Sequence, residues 1–427
     1  MKPATDLEDA IVIFDPVDPL TTAGEIAAYY VDRGSISRGM MRTRLLAGKR
    51  AGKPVKMLFT GHKGTGKSTE VNKLCLELGN EFFIVKVAFG KRPDVTYIDI
   101  LVKAAMALFK AASNEEYIAR APAQIAQGLW EDIAGFIEKK LFGAMPRTSR
   151  LIPDGKFSAK VNAYGVEFEG KYESEPESRK QIRQVSEQQL SEIRDKINLI
   201  ANEVRVHYGL PVLFLFEDTD KIDLAQAKEN FYGRGPTLTD FRASAIYLMP
   251  IGLRYSPQFA TIKQFFGDDF YWLPNIKIRY RNGDECAEGV QLLEKIISTR
   301  LDQTLMADDA RQEIIRSSGG LIRSLVTLAR DSAVIALGRN SARIELHDVQ
   351  RAVKRLRGDF IAMLREEHYP VLLQRHKDKK LSSDPEIQEL LESLALLEYD
   401  NDIYWCDVHP VVLPIVVERT TPAPDAT

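Results

Sequence analysis

The segment Gly61-His62-Lys63-Gly64-Thr65-Gly66-Lys67-Ser68 constrains this chain more than any other. Glycines at 61, 64 and 66 suit no regular element, because glycine loses the most backbone freedom on folding, but they suit a tight loop in which the backbone must turn left-handed or approach a neighbour closely. Before the loop, Val55-Lys56-Met57-Leu58-Phe59 reads as a short strand; after it, Val71, Leu74, Leu76 and Leu78 give a helix an apolar side. At ordinary residue abundances the spacing G-x-x-x-x-G-K-[ST] arises by accident in a chain of this size only about once in fifty. A strand that turns through glycines directly into a helix predicts an α/β fold with a parallel sheet.

The same residues predict a chemistry. A loop of this kind points its N–H groups inward at the positive end of the following helix, which suits phosphate oxygens. Lys67 is expected to set its ammonium between β- and γ-phosphates, Ser68 to offer its hydroxyl to Mg²⁺, and Thr69 to support the nucleotide from the next position, with His62, Lys63 and Thr65 completing the loop. The expected ligands are ATP and Mg²⁺.

Hydrolysis would need carboxylates as well, one for the metal and one for the attacking water. Pro211-Val212-Leu213-Phe214-Leu215-Phe216 is a continuous apolar run, the pattern of a strand buried on both faces, and it empties into Glu217-Asp218-Thr219-Asp220-Lys221. Phe82 to Phe89 and Ala245 to Met249 are further strands, with a helical stretch from about Val95 to Lys110 between the first of them and the acidic strand.

These motifs resemble the AAA+ and STAND families of P-loop ATPases, above all the origin-recognition-like clade, over roughly residues 25 to 365. In that clade the acidic strand ends Asp-Glu-x-Asp-Lys; here it ends Glu-Asp-Thr-Asp-Lys. The resemblance puts Glu217 on the metal side and Asp218 in the position of the catalytic base. A register shifted by one gives Asp218 to the metal and leaves Thr219, a poor proton acceptor, at the base position. It also implies that the Ala245 strand lies between the other two and ends in a polar sensor. The run Met249-Pro250-Ile251-Gly252-Leu253-Arg254 has Arg254 as its nearest candidate. Tyr29, Tyr30 and Arg33 fall in the segment that packs against the adenine, and Ser318-Gly319-Gly320-Leu321-Ile322-Arg323 matches the lid motif whose arginine, here Arg323, reaches for the γ-phosphate. Bacterial ATPases of this appearance resemble components of anti-phage defence.

The expected organisation is an N-terminal segment over residues 1–50, a P-loop core over 51–280 covered by helices on both faces, a helical lid over 281–370, and a small C-terminal winged-helix-like unit over 371–427. The core carries an insertion near 112–180: a helical stretch through Trp130, Ile133 and Ile137, then a hairpin between Lys156 and Tyr172. In the C-terminal unit a helix over Ile387 to Leu396 precedes a hairpin through Leu397-Glu398-Tyr399 and Ile403-Tyr404-Trp405.

Composition narrows the alternatives. Cys75, Cys286 and Cys406 are too dispersed for a disulfide framework or a cysteine zinc site, and no run approaches the roughly 18 apolar residues of a membrane span. The polar, acidic start lacks a secretory pattern, so the expected location is the cytoplasm. With a net charge of −2 no global positive field draws nucleic acid, although Arg351, Lys354, Arg355 and Arg357 form a local basic stretch. The expected function is an ATP-dependent switch that hydrolyses slowly and controls self-assembly or a partner protein; the alternative is a DNA-binding regulator of the initiator or transposition type.

Overall fold

A computed structural model describes residues 2–90, 92–112, 176–400 and 403–421. The expected helix through Trp130 to Ile137 and the hairpin at 156–172 lie outside the described residues. A five-stranded parallel sheet is built from β1 (Lys56–Thr60), β2 (Phe83–Ala88), β3 (Val212–Glu217), β4 (Ser244–Met249) and β5 (Phe270–Trp272), in the order β2-β3-β4-β1-β5. The strand after the acidic one therefore lies between it and the glycine loop, as the resemblance implied. β5, three residues long, was not foreseen.

Strand character follows position. β1 and β4 are buried at every residue, as central parallel strands are; the charged Lys56 at the start of β1 is accommodated because its buried ammonium donates to the Phe241 carbonyl at 2.7 Å. β2, at the edge, alternates: Phe83, Val85 and Val87 are buried while Lys86 and Ala88 face out. A charged lysine on an edge strand also discourages pairing with a foreign strand.

Helices cover both faces. On one side Phe214, Phe216 and Tyr247 pack with helices Tyr97–Ala112 and Leu190–Tyr208; on the other Leu213, Leu215 and Ile246 meet helices Ile36–Arg50 and Lys67–Leu78 through Met41, Leu45, Val71 and Leu74. Phe216 stacks on Tyr247 with centroids 4.4 Å apart, and the buried Tyr247 hydroxyl donates to the Leu238 carbonyl at 2.6 Å. Burying each such ring contributes about 2–3 kcal/mol, and Phe216→Ala would cost about 3–5 kcal/mol.

A second large core lies outside the sheet. Helices Ala287–Ser298, Asp308–Ser318, Ile322–Gly338 and Leu346–Met363 form a helical region within residues 281–370. They share one apolar core with Leu7 and Ala10 of helix Leu7–Ile13, with Phe14 that caps it, and with Leu372, Ile387, Leu390, Leu396 and Val408 of the C-terminal part. That part comprises helices His368–Asp378, Pro385–Glu392 and Leu413–Thr420 and the antiparallel hairpin β6 (Leu396–Asp400) and β7 (Tyr404–Val408).

The glycine pair ahead of helix Ile322–Gly338 has a specific cause. Gly320 adopts φ +81°, and a Cβ there would lie 1.7 Å from the Ile276 carbonyl oxygen. Only glycine lets the helical region pass this close to the extended segment that leaves β5, and the passage delivers Arg323 to the glycine loop.

Candidate nucleotide site

The loop leaves β1 at Thr60, whose hydroxyl donates to the Met249 carbonyl at 2.7 Å. On the other side of β4, the Thr219 hydroxyl donates to the Leu248 carbonyl at 2.6 Å. The last carbonyls of β4 thus accept hydroxyls from the ends of both neighbouring strands' segments. Gly64 (φ +91°) and Gly66 (φ +95°) then turn the backbone left-handed, and the helix starts at Lys67 with Gly66 as its N-cap. A cavity of about 400 Å³ opens over this helix start. Its walls come from the loop, from the N-terminal segment through Tyr30 and Arg33, and from the helical region through Arg300, Ile322 and Arg323.

Lys67 is the centre of the polar network. Its ammonium donates to the carbonyls of Gly61 at 2.8 Å and His62 at 2.9 Å and forms an ion pair of 2.8 Å with Asp220. Both side chains are nearly excluded from solvent, at 3% and 6% exposure, so the pair is held in a low-dielectric setting. Burial by itself would push the Asp220 carboxyl up; the charge and hydrogen bond of Lys67 reverse this and hold it below the ordinary range. The second carboxylate oxygen, Oδ1, is buried without a hydrogen-bond partner, an acceptor in want of a donor beside the helix start.

Lys63, Gly64, Thr65, Gly66, Lys67, Ser68, Thr69, Tyr30, Arg33 and Arg323 all line the cavity. Several of them brace it. Arg33 donates from one guanidinium nitrogen to the Thr65 carbonyl at 2.6 Å and from the other to that of Pro274; burial lowers its pKa to about 10. The Tyr30 hydroxyl donates to Glu70 at 3.0 Å while Arg38 reaches both. Burial raises the Glu70 carboxyl, with Arg38 and Arg33 opposing. Thr69 accepts the Leu20 N–H at 3.3 Å, tying the N-terminal loop to the helix. The Arg323 backbone N–H donates to the Gly64 carbonyl at 3.0 Å, and burial lowers the pKa of its guanidinium against the attraction of Asp220.

Other expected residues stand elsewhere. Glu217 ends β3 on the same face as Leu215, outside the cavity lining; burial raises its carboxyl, and Lys86 of β2 is the cation that opposes this most. Asp218 also lies outside the lining. It adopts φ +66° and turns toward β2, where it accepts the Gly90 N–H at 3.0 Å and the Lys221 ammonium. The acid brought to Lys67 is Asp220, two residues further on, which sequence reasoning treated only as the end of the acidic motif. Its signal was the Asp-Lys that closes that motif.

Arg254 does not reach the cavity. It forms a 2.5 Å ion pair with Glu398 of β6, lies over the rings of Trp272 at 4.2 Å and Tyr404 at 4.4 Å, and shares Glu398 with the Tyr255 hydroxyl. Burial drives Glu398 up to about 7 against the pull of Arg254. The side chain of His62 likewise points away from the cavity, buried against the C-terminal hairpin. Among the described residues no group of His, Cys, Asp and Glu side chains forms a metal cluster, and no helix is long and apolar enough to cross a membrane.

The strand order, the glycine loop and its helix define a P-loop nucleoside-triphosphatase fold. No protein-family model matches the chain, and no curated protein matches it. Solved structures do. Cdc6p from Pyrobaculum aerophilum is similar at 12% identity and a TM-score of 0.43, covering 96% of this chain and 98% of that one. The ORC2 protein of Aeropyrum pernix, in its ADPNP–ADP complexes, reaches a TM-score of 0.46 at 11% identity, covering 95% and 96%. A Walker-type ATPase of Pyrococcus abyssi also reaches 0.46, at 12% identity and with 95% and 99% covered.

Proposed function

We propose that this chain binds ATP with Mg²⁺ over the start of helix Lys67–Leu78, hydrolyses it slowly, and acts as a nucleotide-governed switch for its own assembly or for a partner protein. The observation that carries this reading is the setting of Lys67. A buried ammonium, loop N–H groups at a helix start, the Ser68 hydroxyl and an unpartnered Asp220 oxygen converge on one cavity whose walls come from three parts of the chain.

This donor set fits a triphosphate and a hard divalent cation. The loop N–H groups and Lys67 would take the phosphate oxygens, and Ser68 would take the metal, with Glu217 on its outer side. Arg323 would meet the γ-phosphate from the helical region. Bound Mg²⁺ supplies charge neutralisation on the phosphates. Slow turnover follows from Asp218: one carboxylate oxygen is committed to the Gly90 N–H and the other to Lys221, so a water in the base position has little free acceptor to orient it. Because the cavity is walled jointly by the loop, the N-terminal segment and the helical region, occupancy changes how these parts fit together.

Molar mass by light scattering with ATP, ADP and no nucleotide, on the parent and on Lys67→Ala, tests the reading. Mass or partner capture should follow ATP in the parent and ignore it in the variant. Rapid turnover by the isolated protein, or a mass indifferent to nucleotide in the parent, would overturn it.

A second reading rests on Arg351, Lys354 and Arg355, which are exposed along helix Leu346–Met363. If this face takes DNA, affinity falls steeply with salt; absence of binding at low salt eliminates it.

A further inference from the structure

His62 stands at a position that the G-x-x-x-x-G-K-[ST] pattern leaves unspecified, yet it is 1% exposed and its ring is bonded at both nitrogens to the C-terminal part of the chain. Nδ1 lies 3.1 Å from the Leu391 carbonyl oxygen, which can only accept, so Nδ1 carries the proton. Nε2, left bare, accepts the backbone N–H of Glu398 at 2.7 Å. That N–H belongs to β6, whose only paired neighbour among the described strands is β7, so the ring serves it as a side-chain partner.

The backbone of the same residue holds the phosphate machinery. The His62 carbonyl accepts from the Lys67 ammonium at 2.9 Å, from the Thr65 N–H at 3.2 Å and from the Thr65 hydroxyl at 3.0 Å. The adjacent Lys63 pairs at 3.0 Å with Glu392, whose other oxygen accepts the Gly252 N–H at 2.8 Å. The Tyr399 hydroxyl donates to the Gly319 carbonyl at 2.6 Å, at the glycine pair that delivers Arg323. One short C-terminal stretch therefore touches both the loop and the approach of the helical region.

We propose that His62 is a positioning residue: its ring, clasped by Leu391 and Glu398, fixes the peptide whose carbonyl aims Lys67, so the C-terminal hairpin sets the phosphate-binding form of a loop more than 300 residues away. The affinity claim rests on the ATP reading above; the clasp itself does not.

Full-length His62→Ala, His62→Gln and His62→Asn test this. Gln presents an acceptor where Nε2 stands and keeps the Glu398 bond; Asn presents a donor where Nδ1 stands and loses it. Amide exchange at Glu398 is measured without nucleotide, and affinity for ATP and for AMP by titration in Mg²⁺. Losing one buried hydrogen bond should speed Glu398 exchange about tenfold in the Ala and Asn variants but not in Gln. ATP affinity should fall about tenfold in His62→Ala and largely return in His62→Gln, while AMP, which does not reach Lys67, binds as to the parent. Should His62→Ala fail to fold, the Gln and Asn pair decides the question alone. Unchanged exchange in Ala and Asn overturns the clasp. Faster exchange with unchanged ATP affinity, or an equal loss for ATP and AMP, overturns positioning. A parent that binds no ATP defeats the ATP reading and the affinity claim, and leaves the clasp to the exchange data.

Discussion

Replacing Arg254 by Leu should destabilise the protein in a way that grows with pH. Glu398 is fully buried, and Arg254, itself 8% exposed, is its only cationic partner within ion-pair distance among the described residues. Breaking a buried pair from one side costs about 3–5 kcal/mol, because a charge is left without compensation. The carboxyl can avoid that cost by taking a proton, and the price of the proton depends on pH. Its pKa is already raised from the ordinary 4.5 to about 7. A raised folded-state pKa means stability that is complete below 4.5 and is lost as pH rises toward 7, about 3 kcal/mol over that interval. Without Arg254 the folded pKa climbs further, and each added unit of pH costs about 1.4 kcal/mol more. Arg254→Leu should therefore lose about 1–2 kcal/mol at pH 5, where the contacts with the rings of Trp272 and Tyr404 are missing, and about 2–3 kcal/mol at pH 8, one pH unit above the parent's Glu398 value. Urea midpoints at the two pH values, for the parent, Arg254→Leu, Glu398→Gln and the double variant, measure this. The double variant should recover most of the loss at pH 8. An equal deficit at both pH values, or a double variant no better than Arg254→Leu at pH 8, would refute the reasoning.

Three further outcomes are expected. Lys67→Ala should weaken ATP binding at least about a hundredfold by titration, because it removes the one ammonium that the loop carbonyls aim into the cavity. Gly64→Ala should lower the melting temperature and detach Arg323, since φ is +91° and a Cβ would come within 2.4 Å of the Arg323 Cβ; an unchanged melting curve would sink this. Acid should unfold the protein partly through two histidines: burial lowers both His62 and His409 from 6.5 to about 3, so the stability they confer is complete above pH 6.5 and is lost as pH falls toward 3. His409→Asn should remove about 1.4 kcal/mol per pH unit from the acid slope of a denaturation series between pH 4.5 and 3.5.

Short-range features were legible before any coordinates. The loop, its strand and its helix are adjacent in sequence, and short apolar runs mark β3 and β4. Partners distant in sequence were not legible. Asp220 meets Lys67 across more than 150 residues, Arg254 meets Glu398 across 144, and His62 meets Glu398 across 336. The pattern near Arg254 implied a sensor because chain position was the only guide; the aromatic rings of Trp272 and Tyr404, with a buried carboxylate, claim it instead. β5 escaped because three residues carry no period, and its identity as a strand comes from pairing with β1. The glycine pair at 319 and 320 was legible as a helix opening, but its cause, the close approach of Ile276, exists only in the folded chain.

The N-terminal helix Leu7–Ile13 shares its core with Leu325, Leu328 and Ala329. On the ribosome, Leu7 to Phe14 must wait for partners made some 300 positions later. At about 5–20 residues per second that delay is roughly 15 to 60 s. Throughout it Leu7 and Phe14 have no native surface to cover them, so nascent chains stalled short of residue 325 should be the species that chaperones hold.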